Sequence, residues 1–306
     1  MRAHRIGLVS TRLHYFEAVA RNGSIRSAAR KLNVTPSAIS RSISQLEEDL
    51  GTPLFSRGRQ KLKLTSAGEI LIYHARATQA ELNKANDLID DLKGLKRGSV
   101  TIAVAESPSR SLLPDLMAQF WKKYPDITAE ITVMGSRQAF DSVADGEFDL
   151  ALAFDDNRAR KVAGQVASAN LQLGAVLRPD HPYARKRDVR LQDFANEKIL
   201  LSDSSLTLSQ SIETSMRKVF SDDGPRLRTN SIGLMTAMSS RSSGVAFQTR
   251  VGIEAELERG DLVFVPLRDA QLGPRKLVLM ARPPAQLSST AAALSDMIAR
   301  MLDRIK

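Results

Sequence analysis

The chain contains no cysteine, which excludes disulfides, thiolate metal ligation and thiol-based redox sensing together. Histidine is nearly as scarce. His4, His14, His74 and His181 are scattered along the chain, with no pair at metal-ligand spacing; His14 and His74 fall on segments read as packing helices, and His181 in a His-Pro turn. There is no G-x-S-x-G nucleophile motif and no glycine-rich phosphate-binding loop. No enzymatic chemistry is legible, and neither metal nor cofactor is expected. Long apolar runs are missing as well: none approaches the roughly 20 residues of a membrane helix. The N-terminal MRAHRIGLVSTRLHYF is interrupted by Arg12 before an apolar signal core forms. These absences predict a soluble protein that stays in the cytoplasm.

What is present in excess is positive charge. The 306 residues carry a formal net charge of +10, with a pI near 10.0 and 42% hydrophobic residues. The length suggests two or three units, and the charge favours a polyanionic partner. The charge is unevenly placed. Residues 1–97 hold 17 lysines and arginines against 9 acidic residues, a net of +8, while residues 98–306 hold 27 against 25. The basic KGLKRGS at 93–99 marks the change of composition, so a polyanion is expected at the N-terminal third.

Three short helices are predicted there. Leu13, Phe16 and Ala20 recur at helical spacing and stop at Asn22-Gly23; Ser24 can cap a second helix over residues 25–32. After a tight turn, Thr35 and Pro36 provide an N-cap and a first-turn proline for a third helix. In that helix Ile39, Ile43, Leu46 and Leu50 form a narrow apolar stripe, at about 100° per residue, and Ser37, Arg41 and Ser44 project roughly opposite with Ser40 at the flank. A helix-turn-helix could set this outer face in a major groove, where arginine can bridge guanine O6/N7; a solvated face on a small bundle fits the helix alone equally well. Leu54-Phe55 can plug the core, and Arg57, Arg59, Lys61 and Lys63 crowd a short alternating segment that reads as a wing on the phosphate backbone or as a solvated turn. From Thr65 or Ser66, Leu71, Ala75, Thr78, Leu82, Ala85, Ile89 and Leu92 follow at alternating spacings of 4 and 3. That is a dimer seam, or a helix packed on its own chain.

The stretch SIRSAARKLNVTPSAISRSISQLEEDLGTPLFSRGRQKLKLTSAGE resembles the winged helix-turn-helix of LysR-type bacterial transcriptional regulators. The match runs through Ala28-Ala29, Leu32, Ser40, Ile43, Leu46-Glu47, Leu50-Gly51, Leu54-Phe55, Arg57, Leu64-Thr65 and Ala67-Gly68. One departure is Pro36-Ser37, where many members carry glutamine followed by proline, so an amide able to read adenine is absent. The resemblance continues in VTIAVAESPSRSLLPDLMAQFWKKYPDI, GSRQAFDSVADGEFDLALAF, RPDHPYA and TNSI. It implies an N-terminal all-α winged helix-turn-helix (1–65), a linker and dimerisation helix with hinge (66–97), and a C-terminal α/β effector-binding domain (98–306). That last domain would comprise two Rossmann-like lobes of the type 2 periplasmic-binding-protein kind, lobe I over 98–168 and 270–306 and lobe II over 169–269. DNA contact would then come from Ser24, Arg26, Thr35, Pro36, Ser37, Ser40, Arg41, Ser44, Arg57, Arg59 and Lys61. Implied partners are double-stranded DNA, a small polar metabolite, a second copy in a dimer or dimer of dimers, and RNA polymerase.

Apolar runs over 100–104, 127–133 and 150–154, separated by helical segments, independently indicate an α/β domain. In such domains ligands sit beyond the carboxyl ends of strands. The turns with Glu106, Ser107 and Ser109, with Ser136 and Arg137, and with Ser202 and Asp203 are therefore the candidates, joined by Asn230, Phe247 and Gln248. Each serine can instead be a cap or turn residue. With Glu106 and Asp203 in the cleft, the effector is expected to carry a donor or amine group. Three other classes compete: an enzyme assembled only in three dimensions, an exported solute-binding protein, and an architectural DNA binder that needs no ligand.

Overall fold

A computed structural model describes residues 10–56, 62–92, 98–155, 164–202, 212, 214–215, 225–242 and 244–305. It divides into two compact units, the first built on residues 1–95 and the second on most of 96–306.

In the first unit α1 (Thr11–Asn22), α2 (Ile25–Leu32) and α3 (Pro36–Leu50) are followed by β1 (Phe55–Ser56), β2 (Lys63–Leu64) and α4 (Ser66–Leu92). The helix ends follow the sequence signals. Gly23, Asn33 and Gly51 close α1, α2 and α3 in left-handed conformations, which let the chain turn sharply while satisfying helical carbonyls. Thr35 Oγ1 accepts the Ala38 N–H at 3.3 Å. Ser24 takes the extended cap conformation but makes no side-chain capping bond, contrary to expectation; the Ser24 carbonyl alone accepts the Ala28 N–H at 3.0 Å. Phe16, Val19, Ala28, Ala29, Ile39, Ile43, Leu54, Phe55 and Ile72 form one buried cluster, with the Phe16 and Phe55 rings 5.3 Å apart. Each large side chain buried there contributes about 1.5–3 kcal/mol. Leu50 is 48% exposed, although its helical phase is right: it ends α3, outside the buried cluster formed by the described residues.

The second unit contains β3 (Gly98–Val104), α5 (Glu106–Arg110), α6 (Leu112–Lys123), β4 (Ile127–Val133), α7 (Ser136–Ala144), β5 (Leu150–Phe154), β6 (Gln165–Leu171) and β7 (Leu173–Leu177). It continues with β8 (Lys198–Ser202), β9 (Leu227–Thr229), α8 (Ile232–Arg241), β10 (Gly244–Thr249), α9 (Glu254–Glu258), β11 (Val263–Pro266), β12 (Arg275–Ala281) and α10 (Ser289–Arg304). Two five-stranded sheets result, ordered β4-β3-β5-β12-β6 and β11-β7-β10-β8-β9. Each has the same plan. Three parallel strands, β4-β3-β5 in one and β10-β8-β9 in the other, are extended by antiparallel strands. These are the two Rossmann-like lobes. The chain passes to the second sheet at Gln172, returns by β12 between β5 and β6, and ends in α10. β5 is apolar along its length and β3 from Ile102 onward, as strands buried on both faces of a parallel sheet require, whereas Ser99 is exposed and Thr101 bonds Asp149.

Candidate functional site

On α3 the residues divide cleanly by exposure. Ile39 and Ile43 are buried at 0% and 5%, while Ser37, Ser40, Arg41 and Ser44 are exposed, as are Thr35, Pro36 and, on α2, Arg26. Ser24 is half-buried at the start of α2. The hydroxyls of Thr35 and Ser37 lie 3.1 Å apart at the N-terminus of α3. The outcome is a convex helical face with short hydroxyl side chains around one guanidinium, a surface that can approach base edges closely.

The hairpin beside it is pinned from two sides. Phe55 pairs with Leu64 and Ser56 with Lys63, and the Leu62 N–H donates to the Gly23 carbonyl at 3.1 Å. Glu47, to which sequence reasoning gave no role, accepts the N–H groups of Leu54 and Phe55 at 2.7 and 3.2 Å. Its sequence signals were its place in the matched Leu46-Glu47 pair and a carboxylate at the margin of an otherwise apolar stripe. Lys63 is exposed on β2; Arg57, Arg59 and Lys61 lie outside the described residues. Thr65 Oγ1 accepts the Gly68 N–H at 3.1 Å and donates to the Pro53 carbonyl at 2.7 Å, so it caps α4 and ties down the hairpin exit at once.

Along α4, Leu71 packs against the cluster of the first unit. Ala75 and Leu82 are half-buried, whereas Thr78, Ala85 and Ile89 are exposed; Thr78 Oγ1 donates to the His74 carbonyl at 2.9 Å, and Leu92 ends the helix. Ile70 and Tyr73, outside the expected seam, are also exposed, at 64% and 48%.

In the second unit the carboxyl ends of the parallel strands of both lobes meet. The expected turn after β3 is the short helix α5, and Glu106 at its start reaches across to the other lobe. Its Oε2 accepts the Ile232 N–H at 2.7 Å, and its Oε1 accepts the Gly233 N–H at 2.9 Å and the Ser231 hydroxyl at 3.1 Å. Beside it, Arg110 donates to the Gly252 carbonyl at 3.0 Å and to Glu256 at 2.9 Å, and Ser111 Oγ accepts the Gly252 N–H at 3.0 Å. Glu106 therefore has its acceptors engaged by the chain itself. The amine-bearing effector expected from a free carboxylate at this position loses that support.

The other cleft candidates separate into three groups. Ser109 donates to the Glu106 carbonyl within its own turn at 2.7 Å, and Ser136 Oγ accepts the Phe154 N–H at 3.3 Å, tying the start of α7 to the end of β5. Ser107 is buried where α5 meets Gly252. Phe247 is no cleft residue: it points into the core of the second lobe, with its ring 5.5 Å from that of Phe194, because strand alternation sends residues 245 and 247 to that face. Its neighbour Gln248 takes the opposite face, on the side of α8, and is 2% exposed with neither Nε2 nor Oε1 bonded among the described residues. Ser202 is buried at the end of β8, and Arg137 and Asn230 are exposed. Asp203 lies outside the described residues. Among the described residues no group of acidic, histidine or cysteine side chains could hold a metal ion, and no helix is long and apolar enough to cross a membrane. His181 packs against Tyr183 and Phe194, 5.4 and 6.1 Å between ring centroids.

Two family models match: "Bacterial regulatory helix-turn-helix protein, lysR family" over residues 10–69 and "LysR substrate binding domain" over residues 93–303. A RuBisCO operon transcriptional regulator from Allochromatium vinosum is 30% identical over 293 residues, covering 94% of each chain. Among solved structures, a full-length OxyR variant from Pseudomonas aeruginosa is 17% identical with a TM-score of 0.67, covering 95% of this chain and 93% of that one. Full-length CbnR complexed with its target DNA is 19% identical with a TM-score of 0.50, covering 95% and 98%.

Proposed function

The chain belongs to the LysR family of bacterial transcriptional regulators, DNA-binding proteins and not enzymes, and from that premise we propose that a small polar metabolite held between its two lobes controls its hold on DNA. The observation that carries the DNA-binding half is the division of α3, with Ile39 and Ile43 buried and Ser37, Ser40, Arg41 and Ser44 exposed. Arg41 reads a base. Arg26, Thr35, Pro36 and the basic segment with Arg57, Arg59 and Lys61 hold phosphates and set the register, since backbone contacts position while base contacts specify. Ser24 sits at the margin of this surface.

For the effector, support comes from Gln248, near the carboxyl end of β10, a buried amide whose donor and acceptor have no partner among the described residues. Leaving both unpaired is costly, and a neutral polar ligand group would satisfy them. Ser202 at the end of β8, with Arg137 and Asn230, would line the same cleft; Asp203, proposed with them, lies outside the described residues. Self-association of the kind the family uses is supported by the exposed Thr78, Ala85 and Ile89 on α4. In the second unit Trp121, Ile131, Val133, Leu234 and Met238 are exposed apolar groups that a further contact would cover. A dimer of dimers places paired recognition helices on dyad-symmetric sites, in the cytoplasm and within reach of RNA polymerase. Effector binding shifts the assembly only if it binds two states with different affinity.

The test is selection from a random DNA library with purified full-length protein at physiological salt, with and without a metabolite extract. A dyad-symmetric motif whose footprint changes with extract is the expected result. Binding without any enriched motif would replace this reading with a ligand-independent architectural DNA binder, whose backbone contacts are blind to sequence.

A further inference from the structure

The N-terminus of α8 presents N–H groups that no helical carbonyl can satisfy, and it carries partial positive charge. In an effector cleft that is where an anionic ligand would be received. Here the position is filled from within: the Glu106 carboxylate takes the N–H groups of Ile232 and Gly233 and the Ser231 hydroxyl. A Cβ on Gly233 would meet the mobile end of the Arg110 side chain and lie 3.4 Å from Glu106 Oε1, an ordinary contact, so the three hydrogen bonds to Glu106 and not the glycine define the junction. Arg110 and Ser111, from the same end of the first lobe, grip Gly252 and Glu256 on the second.

We propose that Glu106 is an internal anion that latches the two lobes of the effector domain together, and that it makes the cleft discriminate against anionic effectors at the α8 N-terminus. The lobes are thereby joined without a ligand. An effector carboxylate or phosphate can use those donors only by displacing Glu106, whereas a neutral ligand group leaves the latch closed. The proposal rests on the effector-cleft reading above for its biological meaning, but the latch itself is a property of one folded unit.

The experiment is amide hydrogen exchange by mass spectrometry on the full chain, comparing wild type, Glu106→Ala and Glu106→Gln, each in sodium acetate and in sodium chloride at equal ionic strength. Because first-turn amides have no helical acceptor, protection at Ile232 and Gly233 reports Glu106 directly. Glu106→Ala is expected to speed their exchange about tenfold, the loss of charge-assisted bonds. Acetate is expected to restore protection there in a saturable way, with no effect on wild type, while exchange at 250–256 stays raised because acetate is not tethered to the first lobe. Glu106→Gln, which keeps an acceptor of the same size without the charge, is expected to lie between. Wild-type exchange in Glu106→Ala, or equal effects of acetate and chloride on it, would overturn the latch. Rescue extending to 250–256 would show that the lobes close without the tether and overturn it equally. If Glu106→Ala does not fold, wild-type exchange in Glu106→Gln would count against the charge of Glu106 and overturn the proposal. A wild-type protein that selects no DNA motif would sink the regulator reading and leave these exchange results standing.

Discussion

Glu47 Oε1 accepts the backbone N–H of Leu54 at 2.7 Å, joining α3 to the entry of the hairpin seven residues later. The same oxygen also takes the N–H of Phe55, so one carboxylate satisfies two donors where the chain leaves α3 and plunges into the core. Glu47→Ala is expected to lower stability by about 1–3 kcal/mol, the cost of stranding half-buried donors, and Glu47→Gln by less. Urea denaturation measures both. Equal stability of Glu47→Ala and wild type would mean that water replaces the carboxylate without loss.

Gly68 lies in the first turn of α4 with its α-carbon against the Leu54 carbonyl and the Leu64 side chain, so that an added Cβ meets both. Helix propensity alone would make Gly68→Ala favourable by up to about 1 kcal/mol. Overpacking costs about 1–3 kcal/mol, and the obstacle is backbone, which yields little. A lower melting temperature is the expected net result, and a higher one would show that the hairpin moves aside cheaply.

Arg41→Ala is expected to relax base preference at one or two operator positions, with a loss of about 1–3 kcal/mol if the guanidinium bridges a guanine. Competition binding against operator and random DNA separates the possibilities. Equal losses on both would reassign Arg41 to the phosphates.

For Arg59→Ala the opposite pattern is expected. Binding weakens on every sequence and the slope of log affinity against log salt falls by about one unit. Salt titration checks it, and an unchanged slope removes Arg59 from the phosphate contacts.

Gln248→Leu removes a buried amide without partners among the described residues and leaves similar volume. The ligand-free protein is expected to gain about 1–3 kcal/mol, the cost of an unsatisfied buried polar group, while the footprint change produced by metabolite extract is lost. Thermal unfolding and footprinting read the two effects separately. A destabilised variant that still responds to extract would make Gln248 part of a water-bonded core.

The limits of α1, α2 and α3 were legible in the sequence because each depends on neighbouring residues: Gly23, Asn33 and Gly51 turn the chain, and Thr35 with Pro36 starts it again. The buried and exposed sides of α3 followed from helical periodicity, and the strand character of 127–133 and 150–154 from short apolar runs. Composition alone put the basic excess in the first third, which the helix-turn-helix family model also matches. Where reading along the chain failed, the deciding neighbour was distant in sequence. Leu50 has the right phase for burial, yet it is 48% exposed and outside the cluster that buries Ile39 and Ile43. Phe247 and Gln248 are adjacent, and the sheet sends one into the core and the other towards α8. Glu106 reads as a cleft carboxylate awaiting a ligand, but its partners are 125 to 127 residues away. Helix caps and periodicity are local properties that a few successive residues determine. Whether a half-buried carboxylate such as Glu106 is available or already satisfied depends on which distant N–H groups the tertiary fold delivers to it.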